Sequence, residues 1–147
     1  ETQIFRGLQD GIVRRGGKET PQMVSWGKKI AVKLLSNDNI LEKGKDQKEI
    51  DKQNLAAQLA GDYKVMSVAP QVEKMFRDTL LRGYVRTTAL KSLMKMNPDK
   101  YAVVAGTVLN EPWTTPDFKR DIVNTLGGFP GTPVNKTLAA IKKPSPD

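Results

Sequence analysis

The residue types that could carry out chemistry are few, because the 147 residues include no Cys and no His. The chain therefore has no thiolate nucleophile, no imidazole base or metal ligand, and no Cys-type zinc site. Catalysis would have to depend on carboxylates, Lys, Tyr, Ser or Thr, or on a metal held by oxygen ligands. No cluster of such residues stands out. We therefore predict that the chain is not an enzyme and has no catalytic residues, metal or cofactor.

Basic residues are the other candidates for a functional site. Lys and Arg number 24 against 16 Asp and Glu, which gives a formal charge of +8. Lys91 and Lys95 are one helical turn apart and Lys119 adjoins Arg120, so that these side chains could form a basic stripe. A Lys-rich exposed face is also ordinary solubilising surface. The excess is spread along the chain, +3 over residues 1–60 and +5 over 61–147, without an Arg-rich cluster.

The pattern of apolar residues predicts that helices alone position these side chains. Apolar spacings of three and four recur along the chain, whereas sustained alternation is absent, which indicates an all-α fold. The predicted helices are a first one ending near Gly16-Gly17, a second from Pro21 to about residue 36, and others over about 48–60, 70–81, 84–96, 98–109, 116–126 and 133–141. Several begin with Pro at the first helical position. No apolar stretch is long enough to predict a membrane span.

The later helices recur in register. The shift that aligns Val85 with Phe118 also aligns Ala89, Leu93 and Met96 with Ile122, Leu126 and Phe129, and we call this alignment the repeat register. A shift one residue longer aligns Lys52, Leu55 and Leu59 with Arg86, Ala89 and Leu93. A recurring helix, tight turn and helix favours an α-solenoid, and an irregular helical bundle is the alternative. We predict one domain over residues 1–147, with a helix pair at 1–40, a charged connection at 41–51, repeats at 52–143 and a tail at 144–147.

A family resemblance supports the solenoid. Residues Leu81 to Leu93, with Val-Arg followed by Ala-Leu and Leu, resemble the second helix of a HEAT-type repeat. Residues 115–126 resemble a second copy and 50–59 a third, so the resemblance covers about residues 47–143. It implies a HEAT-like α-α superhelix of about four helix pairs. The spacing of 33 to 34 residues departs from the roughly 40 of HEAT units.

The opening residues Phe5 to Gly11 are similar to the start of HEAT domains in large exported bacterial proteins. Those proteins also contain a β-propeller dehydrogenase-like region and a c-type cytochrome, whose haem-attachment motif this chain lacks. This resemblance implies a periplasmic or exported location, and without it we expect a cytoplasmic one. The first residue, Glu1, fits a processed product or a segment of a longer protein.

The resemblance implies a non-catalytic scaffold that binds a protein partner or a neighbouring domain of the same polypeptide. The candidate partner-binding residues are Arg82, Arg86, Lys91, Lys95, Lys119 and Arg120. For Arg86 the alternative is a structural role, bonding a neighbouring turn. The excess of Lys and Arg supports a second functional hypothesis, nucleic-acid binding in a basic groove, of the kind found in HEAT-like DNA glycosylases. Trp113 and Tyr84 would then supply aromatic surface, and Asp117 or Asp121 the carboxylate.

Overall fold

The computed structural model describes residues 1–36 and 46–140, with Thr132 described by its backbone alone. Within these ranges it contains eight α-helices, a short 3₁₀ turn at Met66–Val68 and no strand, which confirms the all-α fold class. The helices are α1 (Thr2–Arg14), α2 (Pro21–Leu35), α3 (Gln47–Asp62), α4 (Ala69–Arg77), α5 (Gly83–Met96), α6 (Pro98–Leu109), α7 (Pro116–Gly127) and α8 (Thr132–Ala139). In the described part of the chain, no helix is both long enough and apolar enough to cross a membrane.

Local signals fix where several helices begin. Helices α2, α6 and α7 start with Pro at the first helical position, and in each the preceding residue caps the helix. The side chains of Thr20, Asn97 and Thr115 accept hydrogen bonds from backbone N–H groups three residues later, at 3.3, 3.1 and 3.3 Å. These caps satisfy N–H groups that have no partner inside the helix. The predicted starts at Pro21, Pro98 and Pro116 are confirmed.

Helix α4 is shorter than the predicted segment of residues 70–81. It ends at Arg77, and the next residue, Asp78, has an extended backbone. The carboxylate of Asp78 accepts a hydrogen bond from the N–H of Leu80 at 2.9 Å, which favours a turn over another helical turn. Leu80, which lies within the predicted segment, is outside the helix and 68% exposed.

Helix α1 buries less than its apolar pattern predicts. Of its large apolar residues only Phe5 is buried, whereas Ile4 and Leu8 are 63% and 51% exposed. The Phe5 ring packs edge-on against Trp26, with ring centroids 5.2 Å apart. Phe5, Leu8 and Ile12 are spaced three, four and seven positions apart and share one face of α1, on which Ile12 is half-buried against the core whereas Leu8 is exposed.

The tail and the first part of the charged connection lie outside the described residues. Residues 41–45 and 144–147 are among those that the structure does not describe. The last part of the connection is helical, because Asp46 caps α3 by accepting a hydrogen bond from the N–H of Glu49 at 2.9 Å. Residues 47–51 therefore form the start of α3.

Helix α5 lies at the centre of the packing, in contact with α3, α4, α6 and α7. Helices α3 and α5 run parallel, because contacts join their corresponding ends. Near their starts, Gln47 is hydrogen-bonded to Tyr84 and Arg82 at 2.9 Å each. At their ends, Asp62 pairs with Lys95. Helix α2 packs on the other side of α3, and α6 packs against α8.

Burial recurs along the chain in the repeat register. In α4 and α6 the buried pairs in this register are Val72 and Ala105, Met75 and Val108, and Phe76 and Leu109. In α5 and α7 they are Val85 and Phe118, Ala89 and Ile122, and Leu93 and Leu126. Helices α3 and α5 follow the same register, with Gln53 and Arg86, Ala56 and Ala89, and Ala60 and Leu93 buried. The longer shift predicted for this copy aligned Leu55 with the buried Ala89, but Leu55 is only half-buried.

Candidate interaction grooves

A groove of about 480 Å³ lies between α3, α5 and α7. It is lined by Gln58 and Asp62 of α3, by Thr88, Lys91, Ser92 and Lys95 of α5, and by Asn124, Thr125, Gly128 and Phe129 of α7 and the turn that follows it. The α5 residues are three to four positions apart, which places them on one face of that helix. We call this surface the α3–α5–α7 groove.

The repeat register explains why these residues meet. Gln58, Lys91 and Asn124 are aligned with one another in this register, so they occupy equivalent positions on α3, α5 and α7. Close packing fixes α3 against α5 at this level, because a Cβ atom added to Gly61 would lie 2.6 Å from the Cα of Ser92. Only glycine allows the two backbones to approach this closely.

Charges in the groove are partly neutralised. The Nζ of Lys95 pairs with the Oδ1 of Asp62 at its edge, and both side chains are about half exposed. Lys91 is exposed and forms no ion pair with any residue that the structure describes. With two lysines and one aspartate among its lining residues, the groove has a formal side-chain charge of +1.

A second groove, of about 770 Å³, lies between α1 and α3. Its charged lining residues are Glu1, Arg6, Asp10, Lys48, Asp51 and Lys52, whose side-chain charges cancel. Arg6 donates a hydrogen bond to the Oε1 of Gln58, a residue of the α3–α5–α7 groove. This contact joins the two grooves at α3.

Arg86 lies in the core rather than in either groove. Its side chain is 8% exposed, and its Nε donates a hydrogen bond to the carbonyl oxygen of Phe76 at 2.9 Å. The guanidinium carbon lies 3.8 Å from the centroid of the Phe118 ring. Burial lowers the pKa of Arg86, and the negative charges of Asp78 and Glu111 oppose that shift. Arg86 thus connects three parts of the fold, which matches the structural alternative and leaves little of its surface for a partner.

The other predicted residues are dispersed. Arg82 lies at the cap of α5 and donates to the Oε1 of Gln47. Arg120 is exposed and lies 3.5 Å from Asp117, which is also exposed. Lys119 is half-buried on α7, at the position equivalent to Arg86 in the repeat register. Of the six predicted partner-binding residues, the structure brings only Lys91 and Lys95 together in the α3–α5–α7 groove.

The residues proposed for nucleic-acid chemistry do not line this groove either. Trp113 is 64% exposed in the turn between α6 and α7. Tyr84 accepts a hydrogen bond from Gln47 at the start of α5. Asp121 lies near Gly83, with its Oδ2 4.0 Å from the position of a Cβ atom there. In residues 1–36 and 46–140, no group of three or more Asp or Glu residues could hold a metal ion.

Sequence reasoning missed the uncharged polar residues of the groove. Gln58, Thr88 and Asn124 belong to no sequence motif, and the predicted partner-binding residues were chosen among Lys and Arg only. Two of them, Gln58 and Asn124, are the equivalents of Lys91 one repeat earlier and one repeat later. The repeat register, applied to polar positions as well as apolar ones, would have found these two.

Comparison with known proteins adds no relative: no protein-family model matches the chain, and no curated protein or solved structure matches it significantly.

Proposed function

We propose that this chain is a non-catalytic interaction module built as a HEAT-like α-solenoid. Its α3–α5–α7 groove binds a segment of a partner protein or of a neighbouring domain in the same polypeptide. The observation that carries the proposal is that three helices, at equivalent positions of the repeat register, form one groove.

The packing supports a solenoid over an irregular bundle. In a solenoid, equivalent helices stack in parallel and bury equivalent residues. Helices α3 and α5 run parallel, with contacts at both ends. The burial of α4 recurs in α6, and that of α5 recurs in α7, in the same register. The packing of an irregular bundle does not require successive helices to bury residues in one common register.

The chemistry of the groove suits a polypeptide. Gln58 and Asn124 provide amides, and Thr88 provides a hydroxyl, groups that exchange hydrogen bonds with peptide N–H and C=O. Phe129 adds an aromatic surface, and Lys91 a charge. A few directional polar groups around an apolar contact are typical of binding sites, and the volume of about 480 Å³ is in their usual range.

The test is a selection of random peptides displayed on phage against the folded chain, followed by affinity measurement on two variants. Asn124→Trp places a large side chain in the groove, whereas Asn135→Trp makes the same change at an exposed position of α8. We expect the first variant to lose binding at least tenfold and the second to bind like the wild type. Selected peptides that bind both variants equally would place the binding surface elsewhere and contradict the proposal.

The formal charge of +8 supports a second candidate function, nucleic-acid binding. It is tested by titrating labelled random duplex DNA at about 50 mM and about 200 mM salt, because phosphate binding by Lys and Arg weakens steeply with salt. Tight binding that persists at the higher salt would favour this candidate. An absence of binding at the lower salt would exclude it.

A further inference from the structure

The two grooves differ in how well their charges are matched. Among the lining residues of the groove between α1 and α3, basic and acidic side chains are equal in number, and Lys52 has its own partner, Glu49, at 2.9 Å. In the α3–α5–α7 groove, Asp62 is paired with Lys95. Lys91 lies one turn from Lys95 and has no partner among the described residues. It supplies the unbalanced charge of this groove.

An apolar surface lies in the same groove as Lys91. Phe129 follows the end of α7, and its ring is half-buried against the core. Asn124 and Gly128 line the groove on the same wall, and neither covers the ring with an apolar side chain. The groove therefore offers a single occupant part of an aromatic ring and the charge of Lys91, which has no ion-pair partner among the residues that the structure describes.

We propose that the occupant of the α3–α5–α7 groove is an acidic peptide segment with a large apolar residue. A carboxylate of the segment pairs with the Nζ of Lys91, and the apolar side chain packs on Phe129. The amide side chain of Asn124, which also lines the groove, hydrogen-bonds the peptide backbone. This inference rests on the proposed function and specifies its partner.

The carboxylate of Asp62 argues against a polyanion as the occupant. A row of phosphates crossing the groove would meet Asp62 as well as the two lysines, and like charges brought together are unfavourable. The groove between α1 and α3, which such a strand would enter next, has no excess of positive charge. A peptide carries charge at chosen positions only, so it can place a carboxylate at Lys91 and an uncharged residue beside Asp62.

The experiment uses the peptides selected on the wild-type chain and measures their affinity by fluorescence anisotropy at about 50 mM and about 200 mM salt. Lys91→Glu reverses the groove charge, and Lys28→Glu makes the same change on an exposed position of α2, outside the groove. Both variants are first checked for a wild-type circular dichroism spectrum and melting temperature.

We expect the selected peptides to be enriched in Asp or Glu at a constant spacing from a large apolar residue. We expect Lys91→Glu to weaken binding by roughly tenfold or more, and Lys28→Glu to change it less than twofold. Peptides that Asn124→Trp blocks but Lys91→Glu does not affect would overturn the acidic occupant and leave the proposed function intact. Peptides that Asn124→Trp does not block would overturn both. Random duplex DNA that competes with the peptides at the higher salt would overturn the choice of a peptide.

Discussion

The side chain of Arg86 links α5 to two other helices: its guanidinium carbon lies 3.8 Å from the ring centroid of Phe118 in α7, and its Nε donates to the carbonyl oxygen of Phe76 in α4. Phe76 is in the last turn of α4, where carbonyl groups have no partner inside the helix. Arg86 supplies that partner and places a positive charge at the negative end of the helix dipole. One buried cation thus ties α5 to both α4 and α7.

Replacing this cation should be costly. We expect Arg86→Met, which keeps much of the apolar stem, to lower the free energy of unfolding by about 2–3 kcal/mol, because it leaves a buried carbonyl without a donor and removes the contact with the Phe118 ring. Urea denaturation measures the change. Arg77→Met is the control, since Arg77 is exposed and its ion pair with Glu73 should contribute less than about 1 kcal/mol. Equal effects of the two substitutions would mean that Arg86 has no special structural role.

The close approach of α3 and α5 predicts a strong effect at Gly61. We expect Gly61→Ala to lower the free energy of unfolding by about 1–3 kcal/mol, because the added Cβ atom would lie 2.6 Å from the Cα of Ser92 and the helices must separate. Gly7→Ala, in α1, is the matched control, since its Cβ would have no atom within 4 Å. There we expect a gain of about 0.5–1 kcal/mol from helix propensity. Thermal and urea unfolding should both show lower stability for Gly61→Ala and higher stability for Gly7→Ala. A loss of stability in both variants would contradict this account.

Alkaline pH should destabilise the chain through Tyr63. Burial, followed by the hydrogen bond to Glu19, raises the pKa of Tyr63 above its ordinary value near 10. A folded-state pKa above the unfolded value means that this stabilisation is complete below about pH 10 and is lost as the pH rises further. We expect Tyr63→Phe to lose less stability than the wild type between about pH 8 and pH 11 in urea unfolding. Parallel curves for the two proteins would show that Tyr63 does not contribute.

The cap of α7 should contribute a measurable part of the stability. Thr115 accepts a hydrogen bond from the N–H of Phe118 at 3.3 Å. We expect Thr115→Ala to lower the free energy of unfolding by about 1 kcal/mol. Thr107→Ala removes a hydroxyl from the exposed side of α6, where its bond to the carbonyl of Val103 stays within the helix, and should be neutral or slightly stabilising. A larger loss at Thr107 than at Thr115 would refute the capping role.

Much of the helical organisation could be predicted because it depends on local chemistry. Pro21, Pro98 and Pro116 mark helix starts by their fixed backbone angle, and a capping side chain precedes each. The register of α3 was harder to predict, because most of its buried residues are Ala or Gly. Ala56 and Ala60 carry little weight in an apolar pattern, whereas Leu55 lines the groove between α1 and α3.

The candidate site depended on tertiary contacts that local patterns do not contain. A sequence shows that Arg86, Lys91 and Lys119 are cations, but which of them is buried depends on the helices packed around each. Arg86 contacts Phe76 of α4 and Phe118 of α7, whereas Lys91 lies in the open groove. The repeat register was the one sequence signal that reached beyond a single helix.

Helix α1 is attached to the rest of the fold by few buried contacts and should detach locally. Of the residues in α1 only Phe5 is buried, and hydrogen bonds among Gln9, Glu19 and Tyr63 hold the helix near its middle. Helix α5, by contrast, packs against four other helices, α3, α4, α6 and α7. Backbone amides of α1 should therefore exchange with solvent deuterium by local detachment, long before those of α5, whose exchange requires the whole array to come apart.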